Sequence, residues 1–381
     1  MLSMNTPRWF LALLLAASVG LAGCGGGGDD DSDSDGDTDT PGQPDDGGDT
    51  GDGGSGDDGG DSGGSGLTSS TVDDVARLVI STGLSARGSV SAANQSTQAG
   101  GAGTSGLQTN TLTREAAVPD MSIDCTQSGT LTFQFSDGYF DGNTIAKGAE
   151  FALSYDDCVF NTSPDERMNG AMTLTFLEAF DIDSTPDERT QHVRADYDAL
   201  TRTRVSDGRE ESWVDGALRL DAFVDIGSDS GALLPWPATA GVPAGADTTR
   251  GDITDVEDTP LHSRTRLSDG SIAESRLIDA AYTVQVSTTN TGADAVLYTG
   301  EYTVETIQPD VGILDVEVIT PMVWTIAADG DITGVQGELR ITGPNGRVAT
   351  IRTLTGADDD TAELQFDGTT QRILWEEFDQ L

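Results

Sequence analysis

The sequence predicts a mostly β protein: a large curved antiparallel meander (an open roll, a sandwich or a barrel) with one short N-terminal helix. Three observations carry this. Apolar and polar residues alternate with period two through much of the chain after Met121. The alternating runs are punctuated by Asp-Gly and Asn-Gly pairs, which supply the positive φ values of tight hairpins. Helical spacing of apolar residues stands out in one short stretch, near residue 72.

Residues 1–23 read as an export signal. Arg8 closes a short n-region, the apolar run Trp9–Gly20 follows, and Leu21-Ala22-Gly23-Cys24 ends the segment. The run is too short to span a bilayer comfortably as a permanent helix. Leu-Ala-Gly-Cys resembles the lipobox of bacterial lipoproteins, where small residues admit the signal peptidase to the bond before the cysteine. The resemblance implies cleavage before Cys24, a diacylglyceryl group on its thiol and a palmitate-type chain on the new amino group. Several acyl chains at about 0.8 kcal/mol per buried methylene make an anchor that does not let go. Gly25, rather than Asp, follows the cysteine. By similarity to the common sorting pattern, this implies the outer membrane, with the body in the periplasm or at the cell surface.

Residues 24–66 form an Asp- and Gly-rich tether. Beyond Cys24 they hold 14 Asp and 17 Gly, with no basic, aromatic or aliphatic side chain to repay the entropy of ordering. A neutral Gly-rich chain of that length has an end-to-end distance of roughly 35–40 Å, and like charges extend it further. Asp31-Ser-Asp33-Ser-Asp35-Gly36 matches the start of an EF-hand loop, but Gly42 stands where the bidentate Glu belongs. It implies weak, nonspecific cation binding at most.

Residues 67–120 hold the helix and a polar loop. Ser70 caps, Asp73 follows three positions on, and Val72, Val75, Ala76, Val79 and Ile80 make one apolar face that ends near Gly83. Ser, Gly, Gln, Asn and Thr dominate from 85 to 120.

Residues 121–381 are the β body. Leu131, Phe133 and Phe135 share one face; Met172, Leu174 and Phe176 repeat the pattern, as do Leu218, Leu220, Ala222 and Val224. Later runs are 282–286, 298–304, 311–319, 337–342, 348–354 and 362–366. Turns are expected at Asp137-Gly138, Asn169-Gly170, Asp207-Gly208, Asp215-Gly216, Asp269-Gly270, Asp329-Gly330, Asn345-Gly346 and Asp367-Gly368. Arg202-Thr-Arg-Val-Ser-Asp-Gly208 recurs as Arg264-Thr-Arg-Leu-Ser-Asp-Gly270, from hairpin duplication or from convergent turn chemistry. Cys125 and Cys158, the remaining cysteines, are expected to form a disulfide in an oxidising compartment. The stretch from Cys125 to Cys158, with Ser136-Asp-Gly-Tyr-Phe-Asp-Gly142 between, Asn169-Gly170 after it and Leu364–Gly368 near the C-terminus, resembles uncharacterised β-rich lipoproteins of Gram-negative bacteria. That resemblance implies no activity.

Residues 67–381 carry 51 acids against 19 bases, which excludes a nucleic-acid partner. Gly-x-Ser-x-Gly, His-Glu-x-x-His, Cys-x-x-Cys and phosphate-loop motifs are missing. No cofactor is indicated. His192 and His262 read as solvated, and Asp137 with Asp141, or Asp358–Asp360, as acidic turns rather than calcium ligands. Arginine supplies nineteen of the twenty basic residues. Arg202 with Arg204, and Arg264 with Arg266, are expected to form cross-strand ion pairs, or else a stripe for an anionic head group. Leu233, Leu234 and Trp236 lie in a Pro- and Gly-rich connection and read as a core plug, or else as a lipid or protein contact. The expected function is a noncatalytic binding or structural module, anchored in the membrane, with an envelope protein, lipid or polysaccharide as partner. The rivals are a carrier of an apolar ligand in the curled sheet and a calcium-stabilised adhesin-like protein.

Overall fold

Alternation builds the strands. In Ser128–Phe135, Leu131 and Phe133 are buried while Gln134 is exposed; in Thr190–Arg204, Val193, Ala195 and Tyr197 point inward between polar neighbours. The computed structural model describes residues 65–80, 82–83, 90, 120–141, 144–160, 163–181, 190–223, 233–236, 247–267, 270–288, 294–326, 332–353 and 361–374. Cys24, the tether's acidic repeat, Val224, Asp269, Asp329-Gly330, Leu354 and Asp358–Asp360 lie outside these residues.

Among the described residues, one short helix, α1, covers 72–80 and 82–83. The first strands are β1 (Met121–Asp124), β2 (Ser128–Phe135), β3 (Phe140–Asp141), β4 (Thr144–Ile145), β5 (Glu150–Phe160), β6 (Ser163–Phe176) and β7 (Phe180–Asp181). The middle of the chain gives β8 (Thr190–Arg204), β9 (Glu210–Phe223), β10 (Asp247–Asp255), β11 (His262–Arg266) and β12 (Ile272–Thr288). Last come β13 (Asp294–Gln308), β14 (Gly312–Ile326), β15 (Ile332–Thr342), β16 (Val348–Thr353), β17 (Thr361–Phe366) and β18 (Thr369–Leu374). All but β3, β4 and β7, which form a small sheet of their own, belong to one antiparallel sheet with β1 and β18 at its ends. β10 and β11 both pair β9 and β12, so they are two halves of one interrupted strand. The architecture is the predicted antiparallel meander, and among the described residues its two end strands, β1 and β18, do not pair with each other.

The sheet is curled tightly. Asp73 of α1 is bonded by Gln371 of β18, and Leu78 packs on Ala273 of β12. Five helical residues advance about 7.5 Å. Six strand spacings along a flat sheet cover about 29 Å. One short helix reaches both only because the sheet wraps around it.

Two expected turns are corrected. Asn169-Gly170 and Asp215-Gly216 lie inside β6 and β9, at bulges. Their positive φ is used, but to bend strands rather than to reverse them. Asp157 and Ala199 sit at φ 49° and 45°; the Asp157 N–H donates to Asn169 Oδ1 at 2.8 Å and the Ala199 N–H to Asp215 Oδ1 at 3.1 Å. A Cβ on Gly170 would stand 2.4 Å from the Ala199 carbonyl oxygen, and one on Gly216 2.3 Å from that of Pro260. These bulges run diagonally across β5, β6, β8 and β9 and add the local bend that a curled sheet needs. Asp207-Gly208, Asn345-Gly346 and Asp367-Gly368 are hairpin turns as expected.

The helix cap also differs. The Thr68 N–H donates to Thr71 Oγ1, and the Thr68 carbonyl accepts from the N–H groups of Thr71 and Val72. The capping pair therefore stands ahead of the Ser70–Asp73 pair read from the sequence, and Asp73 turns to β18 instead.

Cys125 and Cys158 are joined, with Cα atoms 5.5 Å apart, tying the β1–β2 turn to β5. Hairpins alternate between two ends of the roll. The turns at 205–209, 309–311, 343–347 and 367–368, with Leu267, Gly270 and Ser271 between β11 and β12, share one end, here called the entry end; β3, β4 and β7 cover the core at the other, the far end.

Candidate functional site

The concave face is occupied by the chain's own N-terminal segment. Its entry is fixed by hydrogen bonds to two turns: the N–H groups of Ser65 and Gly66 donate to the carbonyls of Asp310 and Val311, and Asn345 Nδ2 to that of Leu67. Beyond it, Val72, Val75, Ala76, Leu78, Val79 and Ile80 are at most 3% exposed. Tyr282, Tyr298, Tyr302 and Trp324 form an aromatic floor, with Tyr298 stacked on Trp324 at 5.6 Å. The Tyr302 hydroxyl donates to the Val79 carbonyl at 2.7 Å. Burial pushes the Tyr298 and Tyr302 hydroxyls well above their usual range, so both remain protonated donors. Val90 continues across the same face to Gly251 and Leu220.

The same face is ionic where β6, β8 and β9 approach the entry end. Arg202 is 4% exposed and meets Glu166 at 3.3 Å. Burial raises the Glu166 carboxyl above its ordinary value; Arg202 lowers it, and Glu211 and Asp165 push it up again. Glu211 also accepts Arg204 at 2.9 Å and Arg209 at 3.2 Å.

The second copy of the arginine motif faces the other way. Arg202 pairs in register with Ser212, and Ser212 with Thr265, so the inward partner on β11 is the threonine. Arg264 and Arg266 consequently project from the convex face. Arg264 lies 4.6 Å over the Trp213 ring and 3.2 Å from Glu210; Arg266 Nε donates to the Glu210 carbonyl at 3.0 Å. The four arginines thus do not make one stripe, and each has a carboxylate within 4.0 Å.

Both histidines are held by carboxylates. His192 Nδ1 is 2.7 Å from Asp221, and His262 Nε2 is 2.7 Å from Glu274 with its ring edge on Trp213. Among the described residues, no three His, Cys, Asp or Glu side chains converge as a metal site. Asp279, Glu301, Asp315, Glu317 and Arg340 line an open acidic depression of about 210 Å³ on the convex face.

The connection after β9 places Leu234 and Trp236 against Leu297 and Val323, on the convex face of β13 and β14. Gln285 of β12, fully buried, holds the strap through both amide atoms: Oε1 accepts the Leu234 N–H at 2.8 Å and Nε2 donates to the Leu234 carbonyl at 3.1 Å. Leu233 is half-buried beside it. The strap seals a small outer core and leaves the main one to α1. Gln285, Leu297 and Val323 escape a period-two reading, yet Ala295–Tyr298 and Met322–Trp324 are unbroken apolar runs, the mark of strands covered on both faces.

The molecule is thus an open β roll closed on its own helix. No protein-family model, curated protein or solved structure matches the chain.

Proposed function

We propose that this protein is a noncatalytic binding or structural module of the bacterial envelope, anchored in the outer membrane by acylated Cys24 and carried on its acidic tether. The observation that supports this over a carrier of apolar ligands is the filled concave face. Five large apolar side chains of α1, each contributing about 1.5–3 kcal/mol by burial, oppose its withdrawal by roughly 8–15 kcal/mol as an upper estimate. That is comparable to the entire stability of a typical domain. A carrier whose plug leaves only at the cost of unfolding does not load and unload. The Leu234–Trp236 strap lies on the opposite face of the sheet and does not cover the concave one.

The test is a purified, delipidated body offered a panel of envelope polymers and lipids. Saturable binding, or structural support without turnover, is expected. Turnover that a single carboxylate substitution abolishes would overturn the reading. Co-purified lipid that displaces α1 would revive the carrier.

A further inference from the structure

We infer that the entry end of the roll rests against the lipid surface, so that the body stands on its membrane by one face rather than hanging freely. The inference relies on the anchored reading above. Three observations on separate elements converge. First, Ser65 and Gly66, the last residues of the tether, and Leu67 after them are bonded to the turns at 309–311 and 343–347, so the chain leaves the body toward its anchor from this end.

Second, the exposed large hydrophobic residues gather there. Among the described residues these are Val205, Ile313, Ile319 and Val348, each 38–44% exposed. Val205 begins the β8–β9 turn, Ile313 is the second residue of β14, and Val348 opens β16; these three stand at the entry end, and only Ile319 lies mid-strand. Scattered apolar residues are ordinary, but three on the rim from which an anchored chain departs are placed to meet acyl chains.

Third, charge is distributed to favour this face. Arg204, Arg209 and Arg347, each 37–45% exposed, are set against Glu211 and Asp367 at the entry end. The acidic depression of Asp279, Glu301, Asp315 and Glu317 lies on the convex flank. Asp165, Asp207 and Asp310 are also exposed at the entry end, so the rim mixes charges of both signs, whereas the flank sets four carboxylates about Arg340 alone; anionic head groups therefore repel the flank more.

Lipidated full-length chain, in vesicles of phosphatidylethanolamine and phosphatidylglycerol doped with brominated phosphatidylcholine, tests this. An environment-sensitive fluorophore is attached at Val348→Cys, or at Asp181→Cys on the far end. Flotation with the vesicles, at least twofold quenching at position 348 and none at 181 are expected. Val205→Ser with Ile313→Ser, both at exposed sites that leave folding intact, should bring the quenching at 348 down to the level at 181. A chain that floats but is quenched equally at both positions overturns this inference alone. A chain that does not float overturns the anchored reading and this inference with it.

Discussion

One concave surface is sealed in two different ways. Under α1, β12 and β13 present aromatic rings and aliphatic chains to an apolar helix. Toward the entry end, β6, β8 and β9 present Arg202, Glu166, Arg204 and Glu211 to one another. The first region gains stability from area removed from water and tolerates imperfect geometry. The second gives up hydration and recovers it only while every partner is present. The difference teaches that the burial pattern sets which face is inside, but not which physics holds it there. The repeated Arg-Thr-Arg motif makes the point again. A register offset of one residue sends Arg202 inward and Arg264 outward from the same local sequence.

The comparison is broken most severely at the ionic end. Arg202→Ala should cost about 3–5 kcal/mol in urea unfolding, because it strands Glu166 in a desolvated site. Arg202→Met combined with Glu166→Leu should be far milder, near neutral, since no charge is left unpaired. In the apolar region, Leu78→Ala should cost roughly 3 kcal/mol, by lost burial and the cavity left against Leu267 and Ala273. No rescue by a second substitution is expected there.

The two regions also part in their response to pH. Burial raises the Glu166 carboxyl, so the folded chain holds that proton at pH values where the unfolded chain has released it. Its contribution is complete below the unfolded value and is lost as pH rises through the raised folded one. Denaturant titrations from about pH 4 to about pH 7 should therefore show a falling component that Glu166→Gln removes and Leu78→Ala keeps. The smallest effect belongs to the convex copy of the motif. Arg264→Ala gives up a half-exposed ion pair and a ring contact, about 1 kcal/mol or less in thermal melts.

Much of the roll was legible in the sequence because period-two alternation survives wherever one face is covered, as at Leu131–Phe135 and Leu218–Ala222. The curl was legible only as the need to cover that face. Its devices, the bulge sites at Asn169-Gly170 and Asp215-Gly216, look in the sequence like ordinary Asx-Gly turns, because both uses need the same positive φ. Local chemistry cannot tell a reversal from a bend; the strand on the far side decides. The strap was visible as an irregular Leu-Leu-Pro-Trp segment, yet its seat depends on Gln285, which sits 49 positions after Trp236 and has no local signature. The concave occupant was foreseeable as a helix with an apolar face. That it fills the roll follows from contacts with β12, β13 and β18, which are distant in the chain.

α1 is a permanent part of the core. Hydrogen exchange of the body tests this most directly, by comparing the amides of residues 75–80 with those of Tyr302–Val304 in β13 beneath them. Equal protection is expected in the two sets, both exchanging only through global unfolding. Exchange of the α1 amides by a separate, much cheaper opening while β13 stays protected would contradict it, and would make the concave face an open site after all.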